Sequence, residues 1–447
     1  MRIEIEWVDG EGIADPILAQ TYCRLEWRIG DRVVTRAASG PSRSLVEGVH
    51  VSVFPLFEWM VENWWFLLAE PSLVEEGRRT GRDLARNRRI ADWMKRHSLL
   101  AAQEGWIYPD LRFSWDDGRI AARWSSDPEV LGSEGSRLVQ YLSDGWAQLD
   151  YDETVSELQR FGSSVIDRLS QSKIAADLSI DREWREILAT SGREEVVNRS
   201  LAALGFDPYD PADEIDRLAG EIEAILGGIQ SRVAQDFFTA SDQHSFEKDR
   251  CLIDAVVEQA ETEPSSGRSP FATDSLNGST PFERGYSHAR QYRDQLGLDS
   301  LVESEQFGTL EESSGRRFEL RTRSLPVGGA TLRAAVERPN GRYATIFSPI
   351  YRDVPTDRFV KACSVYHLLA TVDEGEMRLV TSAKTSDQAA ARAFAAEFLA
   401  PSSLLRSEIS ANPEPREIDC LAEKYQVSSR VIEYQVQNHG LGELAVA

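Results

Sequence analysis

Apolar and polar positions alternate near the start of the chain and change to a three- and four-residue rhythm further on. Arg2 to Trp7 alternates, which predicts a strand, and Cys23 to Arg28 faces Val33 to Arg36 across Gly30-Asp31 in a hairpin-like pattern. A second hairpin pairs Leu111 to Trp115 with Arg119 to Trp124, because Asp116-Asp117-Gly118 supplies the positive φ that a tight turn needs. Between the hairpins Phe57, Met60, Val61, Trp64, Trp65 and Leu68 recur at helical spacing, so Phe54 to Leu68 should bury one broad aromatic face. From about Asp150 to Glu261 the rhythm stays helical, as in Val155, Leu158, Phe161, Val165 and Leu169, then Ile215, Leu218, Ile222 and Ile225. Pro264 to Pro281 is rich in Ser, Gly, Pro and Thr without periodicity, the composition of a flexible linker.

These patterns predict an α+β, multidomain chain. A Trp-rich mixed α/β unit spans 1–149, an acidic helical region 150–263, a linker 264–280 and a further domain 281–447. The length of 447 residues agrees with several domains at about 150 residues each. Ordinary apolar, charged, Gly and Pro contents exclude wholesale disorder, collagen-like structure and a coiled-coil rod.

Charge narrows the partners. Fifty cationic side chains against 73 acidic ones leave a net charge of −23, which repels phosphate backbones and anionic membranes as a whole. The segment from Asp207 to Glu263 concentrates that charge, and a solvated helical face is its simplest reading. The contrary feature is a basic stripe over residues 78–96, in which Arg78, Arg82, Arg86 and Arg89 would line one side of a helix. Such a stripe could clamp phosphates, pair with the chain's own acidic region, or lie solvated. Four separated cysteines (Cys23, Cys251, Cys363, Cys420) form no CxxC pair, which points to a reducing cytoplasm. The N-terminus lacks the apolar run of a secretory leader, and Glu58, Glu62 and Asn63 break the most apolar stretch, Val51 to Leu68, so no membrane association is expected. An excess of arginine over lysine suggests GC-rich bacterial coding.

The C-terminal third carries the candidate chemistry. Arg358-Phe359-Val360-Lys361-Ala362-Cys363-Ser364-Val365-Tyr366-His367-Leu368-Leu369 resembles the active-site helix of ImmA/IrrE metallopeptidases, which usually reads Arg-Phe-Thr-Leu-Ala-His-Glu-Leu-Gly-His-Leu-Leu. Ala391 to Pro401, Ala-Arg-Ala-Phe-Ala-Ala-Glu-Phe-Leu-Ala-Pro, resembles that family's second signature helix in the same order and spacing. The likeness reaches back to Pro281-Phe282-Glu283-Arg284-Gly285 and forward to a closing helix pair, covering roughly Pro281 to Leu441. It implies a gluzincin-like fold of helices and a small sheet, zinc-dependent peptide cleavage in active relatives, and regulatory work on repressors in stress responses and mobile-element or phage-defence control.

Departures from the family pattern decide the expected chemistry. Active relatives place two histidines four residues apart on zinc, with a glutamate beside the first to polarise the bound water. In this chain Cys363 replaces the first histidine, Ser364 replaces the glutamate, and His367 persists. Asp387 is the acidic residue nearest to where a third ligand is expected. Cys363, His367 and Asp387 could therefore form a rudimentary zinc site, but Ser364 cannot serve as a general base, a role worth about 10²–10⁴-fold in rate. The resemblance thus implies a pseudopeptidase acting as a sensor or protein-interaction module, with no cofactor or weakly bound zinc and with a repressor, toxin or effector as partner. One alternative is an active zinc endopeptidase that takes its base from Glu374, Glu376 or Glu397. A nucleic-acid-binding regulator using the basic stripe is another. Without metal, His367 reads as a hydrogen-bonded core histidine and Cys363 as a small buried apolar residue. A thiolate–imidazolium pair between them would need an oxyanion hole that no segment supplies. In the closing pair, Ala422, Val427, Ser428 and Val431 sit as in a helix-turn-helix, yet Arg430 is the second helix's only cation, so packing is the favoured role.

Overall fold

A computed structural model describes residues 1–40, 42–74, 88–102, 104–126, 139–171, 179–260, 280–303, 307–311, 317–338, 343–370 and 376–444. Among these residues it is α+β, with helices and four small sheets, and the chain divides into two compact units, Met1–Ile222 and Glu223–Ala447. The division falls inside the helix Asp213–Gly228, and the expected linker 264–280 lies almost wholly outside the described residues. No described helix is long and apolar enough to cross a membrane.

In the first unit Arg2–Trp7 pairs antiparallel with Cys23 to Arg28 of the strand Tyr22–Ile29, whereas the expected partner across Gly30-Asp31 shrinks to Arg32–Val33. Long-range pairing wins because Arg2–Trp7 and Val49–Ser52 flank Tyr22–Ile29 on both sides. The second hairpin forms as the turn chemistry requires. Asp116 pairs with Arg119, and Asp117 and Gly118 take φ of 50° and 89°, the left-handed pair of a type I′ turn. The aromatic stretch becomes two helices, Phe54–Glu62 and Trp64–Ala69, interrupted at Asn63. Both are apolar nearly all round, so they lie inside the unit instead of presenting one face to it. Trp184 packs edge-on against Phe57 and Trp64, with centroids 5.5 and 5.4 Å away.

The second unit is built on a five-stranded sheet. Its order is Thr309–Glu311, Arg317–Leu325, Tyr343–Pro349, Leu332–Glu337 and Met377–Thr381, with Arg317–Leu325 and Tyr343–Pro349 parallel. The helix Val354–Ala370 follows the central strand, its first turn anchored where Thr356 N–H donates to Asp353 at 3.1 Å. Helix Pro281–Gln295 starts with a complete capping box between Thr280 and Glu283 and with proline in its first turn. It crosses Ser386–Leu399 at Gly285, where a Cβ would collide with the Ala390 carbonyl and sit 2.8 Å from Ala393 Cβ. Only glycine permits that approach. The closing pair Pro415–Tyr425 and Ser429–His439 turns at Gln426 in the left-handed region and buries Ala422, Val427, Val431, Ile432 and Val436 in the unit's core.

Helices Ser231–Ala240 and Phe246–Gln259 come from the acidic segment yet belong to this second unit. Two of their carboxylates leave the solvated face altogether. Asp249 is fully buried and accepts bonds from the Ala330, Thr331 and Leu332 amides at 2.6, 3.0 and 3.3 Å, and from the hydroxyls of Thr331 and Ser241. A carboxylate so enclosed satisfies the amides of a partly buried turn. Asp249→Ala leaves those donors without acceptors and should destabilise the second unit by about 3 kcal/mol. Thermal melts should show a drop of roughly 6–12 °C, and an unchanged melting temperature would refute the role given to this side chain.

Candidate functional site

The helix Val354–Ala370 buries nearly all of its second half, from Ala362 to Leu369. Cys363 and His367 lie one turn apart, as their spacing demands, but each is committed to the interior. Cys363 belongs to the apolar core with Tyr366, Phe394 and Leu368, and burial pushes its thiol up to about 12, so it stays protonated at neutral pH. Ser364 is fully buried, and its hydroxyl donates to the Val360 carbonyl at 2.8 Å within the same helix.

His367 lies against Gln388. Gln388 Oε1 accepts from Thr381 N–H at 2.9 Å while its amide nitrogen donates to the Leu379 carbonyl at 2.7 Å, and these two bonds fix which end of the amide faces His367. His367 Nε2 lies 3.4 Å from the same oxygen, so Nε2 is the protonated nitrogen of a neutral ring. Desolvation, aided by the Arg378 charge, pulls the imidazole down to about 4.

Asp387 is turned into a cluster of arginines. Its Oδ1 lies 3.1 Å from Arg284, and its Oδ2 3.6 Å from Arg232 and 3.5 Å from Arg378. Burial acts to raise its pKa, but Arg378 and Arg284 outweigh it and hold the carboxyl below its ordinary value. Arg378, almost fully buried, also grips Asp236 with Nε at 2.8 Å and Nη2 at 3.2 Å.

As the fold places them, Cys363 packs in the apolar core, His367 faces an amide and Asp387 is paired with guanidinium groups, so all three are committed to other partners. Among the described residues no group of three or more His, Cys, Asp or Glu side chains is placed to hold a metal. Of the other acids considered as bases, Glu374 lies outside the described residues. Glu376 leads into the edge strand, where its carbonyl accepts from Arg338 N–H at 3.2 Å. Glu397 is buried as a hub, bonded to Arg290 at 2.8 Å, to Ser402 Oγ at 2.9 Å and to Gln435 at 2.8 Å, with His439 at 3.4 Å. Burial alone would raise its carboxyl, but these partners pull it down to about 2. A carboxylate so well satisfied is a poor proton acceptor.

Of the basic stripe, Arg78, Arg82 and Arg86 lie outside the described residues. Arg89 stands exposed in the first turn of the helix Arg88–His97, whose other end is anchored by buried Trp93, Met94 and His97. The residues that sequence reading missed are Gln388, Asp236, Arg232, Arg284 and Arg378. A glutamine among alanines carries no motif, and an arginine inside Met-Arg-Leu-Val-Thr looks like an exposed strand position until its buried carboxylates are located. Compared with known proteins, the chain matches no family model and no curated sequence.

The neutral state of His367 sets a pH dependence. Its folded value of about 4 lies below the ordinary 6.5, so the unfolded chain binds the extra proton more readily. The stability this provides is complete above pH 6.5 and is lost as pH falls through 4, a loss of about 3 kcal/mol for the whole shift. Glu397 contributes in the same sense, but its window opens only below 4.5 and closes near 2. Denaturant unfolding at about pH 7 and about pH 4 should register the His367 component, and His367→Asn should remove it. An identical pH profile in that variant would sink the assignment.

Proposed function

We propose that the second unit is a non-catalytic relative of ImmA/IrrE metallopeptidases that works by binding a polypeptide partner. The order of elements supports the likeness: a central strand, a helix bearing the Cys363-Ser364…His367 remnant, a further strand, and the helix Ser386–Leu399 packed against the first. The sealed environment of His367 carries the reading. A metal ligand needs a lone pair aimed at an open position, and a hydrolytic site needs a base beside it. His367 has no exposed surface and turns its protonated nitrogen to Gln388, while Ser364 donates to its own helix.

On this reading the fold is kept for the surface it presents. A repressor, toxin or other effector is the class of partner that the resemblance implies, in bacterial stress, mobile-element or phage-defence regulation, and the cytoplasm is the expected setting. Purified protein should hold less than roughly 0.1 zinc per chain and should not cleave peptides when zinc is added. Cys363→Ala should leave both results unchanged. One stoichiometric zinc, lost in Cys363→Ala and His367→Ala, would overturn the proposal and restore the endopeptidase alternative.

A further inference from the structure

Strand Met377–Thr381 forms one border of the five-stranded sheet and pairs on one side with Leu332–Glu337. Along the other side, alternate backbone groups point outward in the plane of the sheet, the arrangement that ordinarily invites another strand. Side chains occupy that row. Met377 N–H donates to Gln230 Oε1 at 3.0 Å, Leu379 N–H to Asp236 Oδ2 at 3.0 Å, and Thr381 N–H to Gln388 Oε1 at 2.9 Å. Gln388 also donates to the Leu379 carbonyl at 2.7 Å, so its amide reproduces one peptide group of a paired strand. Helix Ser231–Ala240, with Gln230 at its N-cap, supplies the other two oxygens.

This closing helix is short and is held by packing, with Val233, Ala234, Phe237 and Phe238 buried. The helix has 10 residues, fewer than the roughly 12–15 that hold together in water unaided, so its helicity depends on staying docked. Arg378, which grips Asp236, also faces Asp387 at 3.5 Å, so a carboxylate stays beside the buried guanidinium when Asp236 departs. We propose that helix Ser231–Ala240 is an intramolecular stopper on a strand-docking edge. Once it is displaced, an extended segment of the partner pairs with the freed Met377 and Leu379 amides, beside the end that Gln388 keeps closed, and places an Asp or Glu on Arg378. The inference rests on the reading of this unit as a binding module and names the surface and the backbone chemistry it uses.

The test uses the full chain and a fluorescent hexapeptide copying Leu332–Glu337, a sequence that already pairs with this strand and ends in glutamate. Relative to the unaltered protein, Gln230→Ala/Asp236→Ala should bind the peptide at least about tenfold more tightly. Its Met377 and Leu379 amides should exchange hydrogen at least about tenfold faster, with Thr381 unchanged. A folded double variant with native exchange at both amides, or with native peptide affinity, overturns the proposal. Where the double variant fails to fold, Gln230→Ala alone must accelerate Met377 exchange and tighten peptide binding, and no change in either overturns it equally. Zinc content of the same preparations is independent of both readouts. A failed peptide test thus leaves the non-catalytic reading standing, and stoichiometric zinc refutes that reading by itself.

Discussion

A polar side chain removed from water must find its hydrogen bonds inside the protein, and in the second unit backbone amides meet part of that requirement. Asp249 closes the turn before Leu332–Glu337, and Asp236 binds the Leu379 amide and Arg378. Gln388 bridges Leu379 and Thr381, and Glu397 ties Ser402 and Gln435 to its own helix. Removing any of these groups strands several donors at once, which makes each more costly to lose than an apolar contact of similar size. The clamps also explain why two helices of an acidic segment belong with a sheet that lies far along the chain.

The same requirement bears on chemistry. Catalytic groups need spare hydrogen-bonding capacity and a pKa near the working pH. Around Val354–Ala370 that capacity is already engaged: Ser364 by its own helix, His367 by an amide, Asp387 by guanidinium groups. Desolvation then sets the protonation states, holding Cys363 as a thiol and His367 neutral. What looks in sequence like a peptidase motif with two substitutions is, in three dimensions, a polar core knitted to the edge of a sheet.

The first unit relies on different means. Its interior is aromatic, and one of its buried ionic groups centres on Glu70. Glu70 accepts from Arg96 at 2.9 and 2.6 Å and meets His97 Nε2 at 3.0 Å, while His97 stacks on Trp93. Desolvation of Glu70 is offset by His97 and Arg96, which hold its carboxyl below the ordinary value. The basic stripe thus ends in structure, with Arg96 engaged by a buried acid.

Local patterns were legible wherever the cause was local. The Asp117-Gly118 turn, the helical spacing of Cys363 and His367 and the closing helix pair all follow from backbone preferences within a few residues. Apolar periodicity marked the helices as well, although it could not show that Phe54 to Ala69 is enclosed on all sides, because enclosure depends on neighbours that arrive from elsewhere in the chain. The partner of Tyr22–Ile29, the packing of the acidic helices and the fate of Asp387 were settled by contacts between residues far apart in sequence. Hydrogen-bond satisfaction is a property of the folded whole, so a glutamine at 388 and an arginine at 378 acquire their roles only when distant strands and helices surround them.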